Sequence, residues 1–280
     1  YYLGDYDKIN DKFFVTTHGK FNFGASGPSG VHAPSVTPSP DVKGGLISIW
    51  NMNPGKKDGW NRIKGGNVQI MSLPRLLTLS KNNSNLDYNI LKQEPAGDIE
   101  SLRYNKKSIN RMIIPPNKEI ILNEIKGNAI EIVAEINPMN SQMVEINVLR
   151  SEEREEFTKI AFYKDRGTRL TTSRFYDGPY RGLKRQYNSI LNIDTSFSST
   201  LSNVKSRPPE SAPIVLENGE NLKLRIFIDK SVVEVFANGK QVVATRVFPG
   251  LESSLGVSIR SQGNQSELIS LDSYQMKSIY

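Results

Sequence analysis

The chain has no cysteine, only two histidines, no long apolar run and no block of like charge. Each absence removes a class of function. Without cysteine there is no disulfide, no thiolate metal site and no Cys nucleophile. The compartment stays open on that ground, because a secreted protein need not carry disulfides. His18 and His32 stand apart on a loop-rich stretch and supply too few ligands for a His-based centre, so neither a metal site nor a cofactor is expected. No stretch approaches the roughly 20 apolar residues that a membrane-spanning helix needs. The first residues, YYLGDYD, include no Met, no basic start and no apolar signal region, so a processed, trimmed or partial chain is expected. The net charge is +7, but the basic residues are scattered among acidic ones. The densest patch, YRGLKRQY at 180–187, follows a Gly178-Pro179 turn and reads as a solvated loop. A nucleic-acid partner would rest on net charge alone and is not expected.

What is present reads as strand. In AIEIVAEI (129–136), Ile130, Ile132, Ala134 and Ile136 fall on one face. In MVEINVL (143–149) the same holds for Val144, Ile146 and Val148, and in LKLRIFI (222–228) for Leu222, Leu224, Ile226 and Ile228. Alternation with period two marks half-buried strands. Asn238-Gly239 lies between VVEVFA and KQVVATRVF, and both residue types tolerate positive φ, which predicts a two-residue hairpin turn. Residues 222–248 are therefore expected as a three-stranded meander that turns first near Asp229–Ser231. No long 3.6-residue period appears; Glu152 to Phe157 has room for one helical turn. Residues 1–72 are rich in Gly, Pro and Asn, with short strands such as FFVTT (13–17) and LISIW (46–50), which suits a propeller. After Pro95 the strands are longer and more regular, which suits a β-sandwich.

Four segments in order carry a family resemblance. They are GVHAPSVTPSP (30–40) with LISIWNMNPGKKDGW (46–60) and IMSLPRLLTL (70–79), then LKQEPAGDIESLR (91–103), ILNIDTSFSS (190–199) and ENLKLRIFIDKSVVEVFANGKQVVATRVFP (220–249). These resemble the C-terminal part of glycoside hydrolase family 32, the β-fructosidase, invertase and levanase type. Asp229, Ser231, Glu234, Val235, Phe236, Asn238 and Gly239 match the family's sandwich signature, and Leu73-Pro74-Arg75 its closing blade. The resemblance implies an all-β fold: the last portion of a five-bladed β-propeller over residues 1–80, a connector at 81–95, and a C-terminal β-sandwich over 96–280. It also implies a retaining glycosidase for the complete protein, with a fructose-containing oligo- or polysaccharide as partner and a missing N-terminal propeller half. A secreted or periplasmic location is expected ahead of a cytoplasmic one.

Retaining glycosidases need two carboxyl groups about 5 Å apart. The family's nucleophile lies in Asn-Asp-Pro, its transition-state stabiliser in Arg-Asp-Pro and its acid/base in Glu-Cys, and this sequence contains neither Asp-Pro nor cysteine. No catalytic residue is carried over. Asp5 and Asp7 would share a face of a strand but read as a turn-flanking pair. Asp229 and Glu234 read as hairpin hydrogen bonds and solvated charge, Asp98 and Glu100 as packing at the junction. Arg75 is long enough to pair with a carboxylate between domains. Four residues align near the family's pocket and are candidate substrate contacts: His32, Ser35, Trp50 and Asn51. Trp50-Asn51 departs from the Gly-Trp that the family has there, and an indole there also serves blade packing. The expected function is hydrolysis of terminal β-fructosyl bonds of sucrose, inulin or levan once the other half is present. The alternative is a non-catalytic sandwich that binds carbohydrate or protein.

Overall fold

The computed structural model describes residues 1–24, 30–53, 70–81, 89–172, 183–204 and 207–279. Of the patch at 180–187, residues 180–182 lie outside the described residues, as does the preceding Gly-Pro turn. So do the PGKKDGW stretch and residues 82–88 of the expected connector.

The fold is all-β. The strands β1 (Tyr2–Asp7) and β2 (Lys12–His18) pair as a two-stranded antiparallel ribbon. A second sheet holds β3 (Val31–Pro38), β4 (Leu46–Met52), β5 (Ile70–Met71), β6 (Arg75–Lys81) and β7 (Asn89–Pro95). Its order is β3-β4-β6-β7, with β5 beside β4. The stretch expected as a connector thus includes a strand, paired with β6 from Arg75↔Pro95 to Lys81↔Asn89. A 3-10 turn at Ile99–Leu102 follows, the one helical stretch among the described residues. Residues 152–156 form turns instead of the helical turn expected there, because the Ser151 hydroxyl and amide close the loop onto Glu156.

The remaining strands are β8 (Arg103–Ile109), β9 (Met112–Ile114), β10 (Glu119–Lys126), β11 (Ala129–Asn137), β12 (Met143–Arg150), β13 (Thr158–Thr172), β14 (Leu183–Asp194), β15 (Glu210–Ile214), β16 (Leu222–Asp229), β17 (Val232–Ala237), β18 (Gln241–Arg246), β19 (Gly256–Gln262) and β20 (Ser266–Met276). One sheet runs β10-β19-β12-β13-β14-β15, the other β18-β17-β16-β11-β20-β8, with β9 beside β20. Residues 183–187, expected as loop, belong to β14 and pair with 168–172.

The alternating residues meet between these two sheets. Ile130, Ile132, Ala134 and Ile136 of β11 and Leu222, Leu224, Ile226 and Ile228 of β16 share one buried cluster with Val144, Ile146 and Val148 of β12. Burying each large aliphatic side chain contributes about 1.5–3 kcal/mol, which makes this the principal core. The strands differ from expectation in their other face. Every residue of β12, β17 and β18 is buried, polar ones included. For β17 and β18 the second sheet is the cover. Val232 and Ala244 pack on Val31, Trp50 and Met52, while Phe236 and Val242 pack near Leu73.

The hairpin between β17 and β18 shows both positive φ angles, 53° at Asn238 and 62° at Gly239, with the Lys240 amide donating to the Ala237 carbonyl at 2.9 Å. Its loop is one residue longer than expected, because the register pairs Ala237 with Gln241 and leaves Lys240 outside the ladder. The tip touches β7, where the Gln93 amide donates to the Gly239 carbonyl at 2.9 Å. A Cβ on Gly239 would meet Glu94 no closer than 3.5 Å, an ordinary contact, so a side chain there costs backbone strain and little steric clash. Gly239→Val is expected to lower stability by roughly 1–2 kcal/mol, since a β-branched residue resists positive φ. Urea unfolding checks this; a midpoint within error of the parent chain would refute it.

Candidate functional site

The four candidate substrate contacts lie on β3 and β4, but not on one face. His32 pairs directly with Asn51, then the register slips, so that Pro34 pairs with Trp50 and Ser35 with Ile49. Directly opposed residues of an antiparallel pair share a face. The extra residue, Ala33, is a β-bulge with φ of 45°. It places His32 and Ser35 on the same side despite their odd spacing, together with Asn51. Trp50 points the other way. Its indole is buried against Phe21, at 4.7 Å between ring centroids, and in the cluster with Val31, Met52, Val232 and Ala244. Its Nε1 donates to Ser48 Oγ at 3.2 Å. Trp50 therefore packs between the sheets and offers no ring face to a sugar, a correction to its expected place among the substrate contacts. The cause is strand alternation: Ser48, Trp50 and Met52 all turn inward.

The outward set has the chemistry of a hydroxyl-binding surface. Ser35 is exposed, and His32 and Asn51 are half-buried. His32 Nδ1 is itself buried with no hydrogen-bond partner. Ala33 combines a positive φ with a following proline, a strained arrangement of order 1–3 kcal/mol of the kind that clusters at functional sites. No sequence signal announced the bulge, since the residue before proline favours extended backbone. None of the three side chains is a carboxylate, so this surface carries no group for carboxylate acid–base catalysis.

Three of the acidic residues singled out in the sequence, Asp7, Glu100 and Glu234, are engaged in other contacts. Asp7 accepts hydrogen bonds from the Asn10 side chain at 2.7 Å and from the Ile9 and Asn10 amides at 2.9 and 3.2 Å. These hold its carboxyl below the ordinary value, the reverse of what a general acid needs. Asp5 is exposed on the same ribbon. Glu100 pairs with Arg225 at 2.9 Å and Arg103 at 3.5 Å; burial pushes its carboxyl up, yet its own backbone and the two guanidiniums bring it below the usual range. Among the described residues no group of His, Asp or Glu gathers in a way that would hold a metal ion.

Glu234 departs furthest from expectation. It is not a solvated hairpin charge: it is fully buried and pairs with Arg75 of β6 at 3.1 Å. Its other oxygen accepts the Leu73 amide at 2.5 Å. Burial pushes its carboxyl up, while Arg75 and that amide pull it back. The Arg75 guanidinium carbon also lies 5.9 Å from the centre of the Phe236 ring. Leu-Pro-Arg and Val-Glu-Val-Phe, remote in sequence, thus meet as the lock between the second sheet and the sandwich.

Comparison with known proteins places these features. Residues 98–277 match the family described as Glycosyl hydrolases family 32 C terminal. The chain is 28% identical over 189 residues to Levanase of Bacillus subtilis (strain 168), a match covering 67% of this chain and 25% of that protein. It is 26% identical over 265 residues to Acid beta-fructofuranosidase of Vicia faba, covering 89% and 40% respectively. The crystal structure of a variant of fructan 1-exohydrolase IIa from Cichorium intybus in complex with 1-kestose superposes with a TM-score of 0.76 at 15% identity, over 99% of this chain and 54% of that one. At that identity the superposition establishes likeness of fold alone. The chain spans 25% of the levanase and 54% of the exohydrolase.

Proposed function

The chain belongs to glycosyl hydrolase family 32 through its C-terminal domain, and we propose that it is the C-terminal part of a β-fructosidase-type glycoside hydrolase. The complete protein hydrolyses terminal β-fructosyl bonds of sucrose, inulin or levan by a retaining mechanism. Both carboxylates of that mechanism belong to the N-terminal half. In this reading residues 1–80 end the five-bladed propeller, with β7 completing its last sheet, and residues 96–280 are the sandwich. The observation that carries the proposal is the family match over 98–277 joined to a second sheet that is locked onto the sandwich by Arg75 and Glu234. A dedicated binding module has no use for a propeller sheet fixed to it by a buried ion pair. His32, Asn51 and Ser35 are the substrate contacts of this half: they hold sugar hydroxyls on the outward face of β3 and β4, and the Ala33 bulge aligns them.

The chain alone is expected to release no fructose from sucrose or inulin. Joined in frame to the N-terminal propeller half of a family relative, it is expected to support release. In that joined protein His32→Ala should lower kcat/KM by about tenfold, the worth of a hydrogen bond or two. Fructose appearance, measured after incubation with each substrate, decides the matter. Release by the chain alone that disappears when one of its own residues is substituted would overturn the proposal. A folded joined protein without activity would favour the non-catalytic module.

A further inference from the structure

Two Asn-x-Ser/Thr triplets occur in the sequence, Asn82-Asn83-Ser84 and Asn264-Gln265-Ser266. Such a triplet, with any residue but proline in the middle, is the acceptor pattern for an N-linked oligosaccharide. The first lies outside the described residues. The second sits where β19 turns into β20. Gly263 makes the turn with φ of 82°, and its amide donates to Asn117 Oδ1 at 3.0 Å. The Ser261 hydroxyl donates to the Asn264 carbonyl at 2.6 Å. Asn264 and Gln265 are both exposed, so a fixed turn presents the acceptor amide to solvent.

Ser266 supplies the second observation. It opens β20 opposite Ile114 and stands two residues before Leu268, both of which belong to the principal core. Strand alternation calls for an apolar side chain at such a place. Ser266 is instead 0% exposed, and its hydroxyl is the one buried hydroxyl among the described residues that meets no partner. Buried serines nearby are engaged: Ser258 Oγ donates to Glu119 Oε1 at 2.6 Å and Ser141 Oγ to the Met143 carbonyl at 2.8 Å. A buried hydroxyl without a partner destabilises the fold that holds it. Packing thus gives no reason for a hydroxyl at this position, whereas the acceptor triplet requires one two residues after its asparagine.

We propose that Asn264 is an acceptor for an N-linked oligosaccharide transferred from a lipid diphosphate donor. In that step a C–N bond forms between Asn264 Nδ2 and the anomeric carbon of the first sugar. The bond from that carbon to the diphosphate oxygen breaks, and one amide proton leaves as the lipid diphosphate is released. The Ser266 hydroxyl serves at transfer, before β20 closes on β9 and buries it. The proposal concerns the sandwich surface and stands apart from the fructosidase reading. The chain carrying N82Q, which removes the other triplet, would be secreted from a eukaryotic host that glycosylates asparagine. Endoglycosidase H is expected to lower its apparent mass, and peptide mass spectrometry to place the sugar on Asn264. N264Q and S266A should each abolish the shift, and S266T should keep it. Should N82Q not be secreted, the same peptide analysis of the parent chain reads occupancy of Asn264 directly. Thermal unfolding of unglycosylated S266A, made in bacteria, separates a modification role from a structural one. Its midpoint should equal or exceed that of the unglycosylated parent, because the variant loses a hydroxyl that bonds to nothing. Secreted chain without sugar on Asn264, sugar there in S266A, or a lowered S266A midpoint would overturn the proposal.

Discussion

Arg75→Met is expected to destabilise the chain by roughly 3–5 kcal/mol, the usual consequence of leaving a buried ion without its partner. Arg75 and Glu234 are 1% and 0% exposed and 3.1 Å apart, so the carboxylate left behind has no access to water. The Leu73 amide would remain as its hydrogen-bond donor. The pair is not simply a source of stability. Taking both ions from water is expensive, and Arg75 Nε and Nη1 are buried without acceptors. The double variant Arg75→Met/Glu234→Gln, which removes both charges and keeps an acceptor for Leu73, should therefore recover a large part of the loss. The pH dependence of the single variant follows with a definite sign. The Glu234 carboxyl already stands above the ordinary 4.5, and Arg75 is what opposes the rise. Without Arg75 it rises further. A carboxyl whose folded value is raised favours the folded state below that value and loses the contribution as pH climbs through it. Arg75→Met should thus gain stability relative to the parent on going from neutral pH toward pH 4.5. Urea unfolding at two pH values measures all three effects. Equal losses in the single and double variants, or a single-variant loss under about 1 kcal/mol, would mean that the junction does not depend on the ion pair.

Glu156→Gln is the second large effect, expected at roughly 2–4 kcal/mol near neutral pH from hydrogen bonds to a buried charge. Glu156 is fully buried, and its oxygens collect five hydrogen bonds from neutral donors. Oε1 accepts the Thr200 amide at 2.5 Å, the Thr200 hydroxyl at 2.8 Å and the Gly250 amide at 2.8 Å. Oε2 accepts the Leu251 amide at 3.1 Å and the Ser254 hydroxyl at 2.7 Å. One side chain thus ties the loop after β14 to the loop after β18. Burial pushes the carboxyl up, but the Ser254 hydroxyl and the three amides outweigh it, and the net value falls below 4.5. Gln presents an N–H₂ group to amides that cannot accept from it, so amide donors go unsatisfied. The sign against pH is opposite to that of Glu234. A depressed carboxyl contributes fully above its unfolded value and loses the contribution as pH falls through its folded value. The difference between parent and Glu156→Gln should be constant above about pH 5 and shrink below about pH 4.5. Urea midpoints across that range test it; a difference that is small at neutral pH, or that grows on acidification, would refute the account.

Sequence by itself determined the core strands β11, β12 and β16 to β18, the family and the absence of the catalytic motifs. Alternation places Ile130, Ile132, Ala134 and Ile136 inward because side chains on a pleated strand point to opposite faces in turn, a rule that needs no tertiary information. Asn238-Gly239 announces its turn because positive φ is a property of residue type. The missing Asp-Pro and cysteine were legible in the same way. What alternation does not carry is the identity of whatever covers the second face. Glu234 alternates like a solvent-facing residue of a half-buried strand, and only the packing of β6 and β7 onto the sandwich reveals that it is sealed against Arg75. Trp50 was ambiguous for the same reason, since an indole looks alike whether it meets a sugar or Phe21. The bulge at Ala33, which sets His32 and Ser35 on one side with Asn51, arises from strand register, a relation between segments. In each case local propensity is written in single residues, whereas burial, pairing and charge balance are properties of contacts that form only when the sheets close on one another.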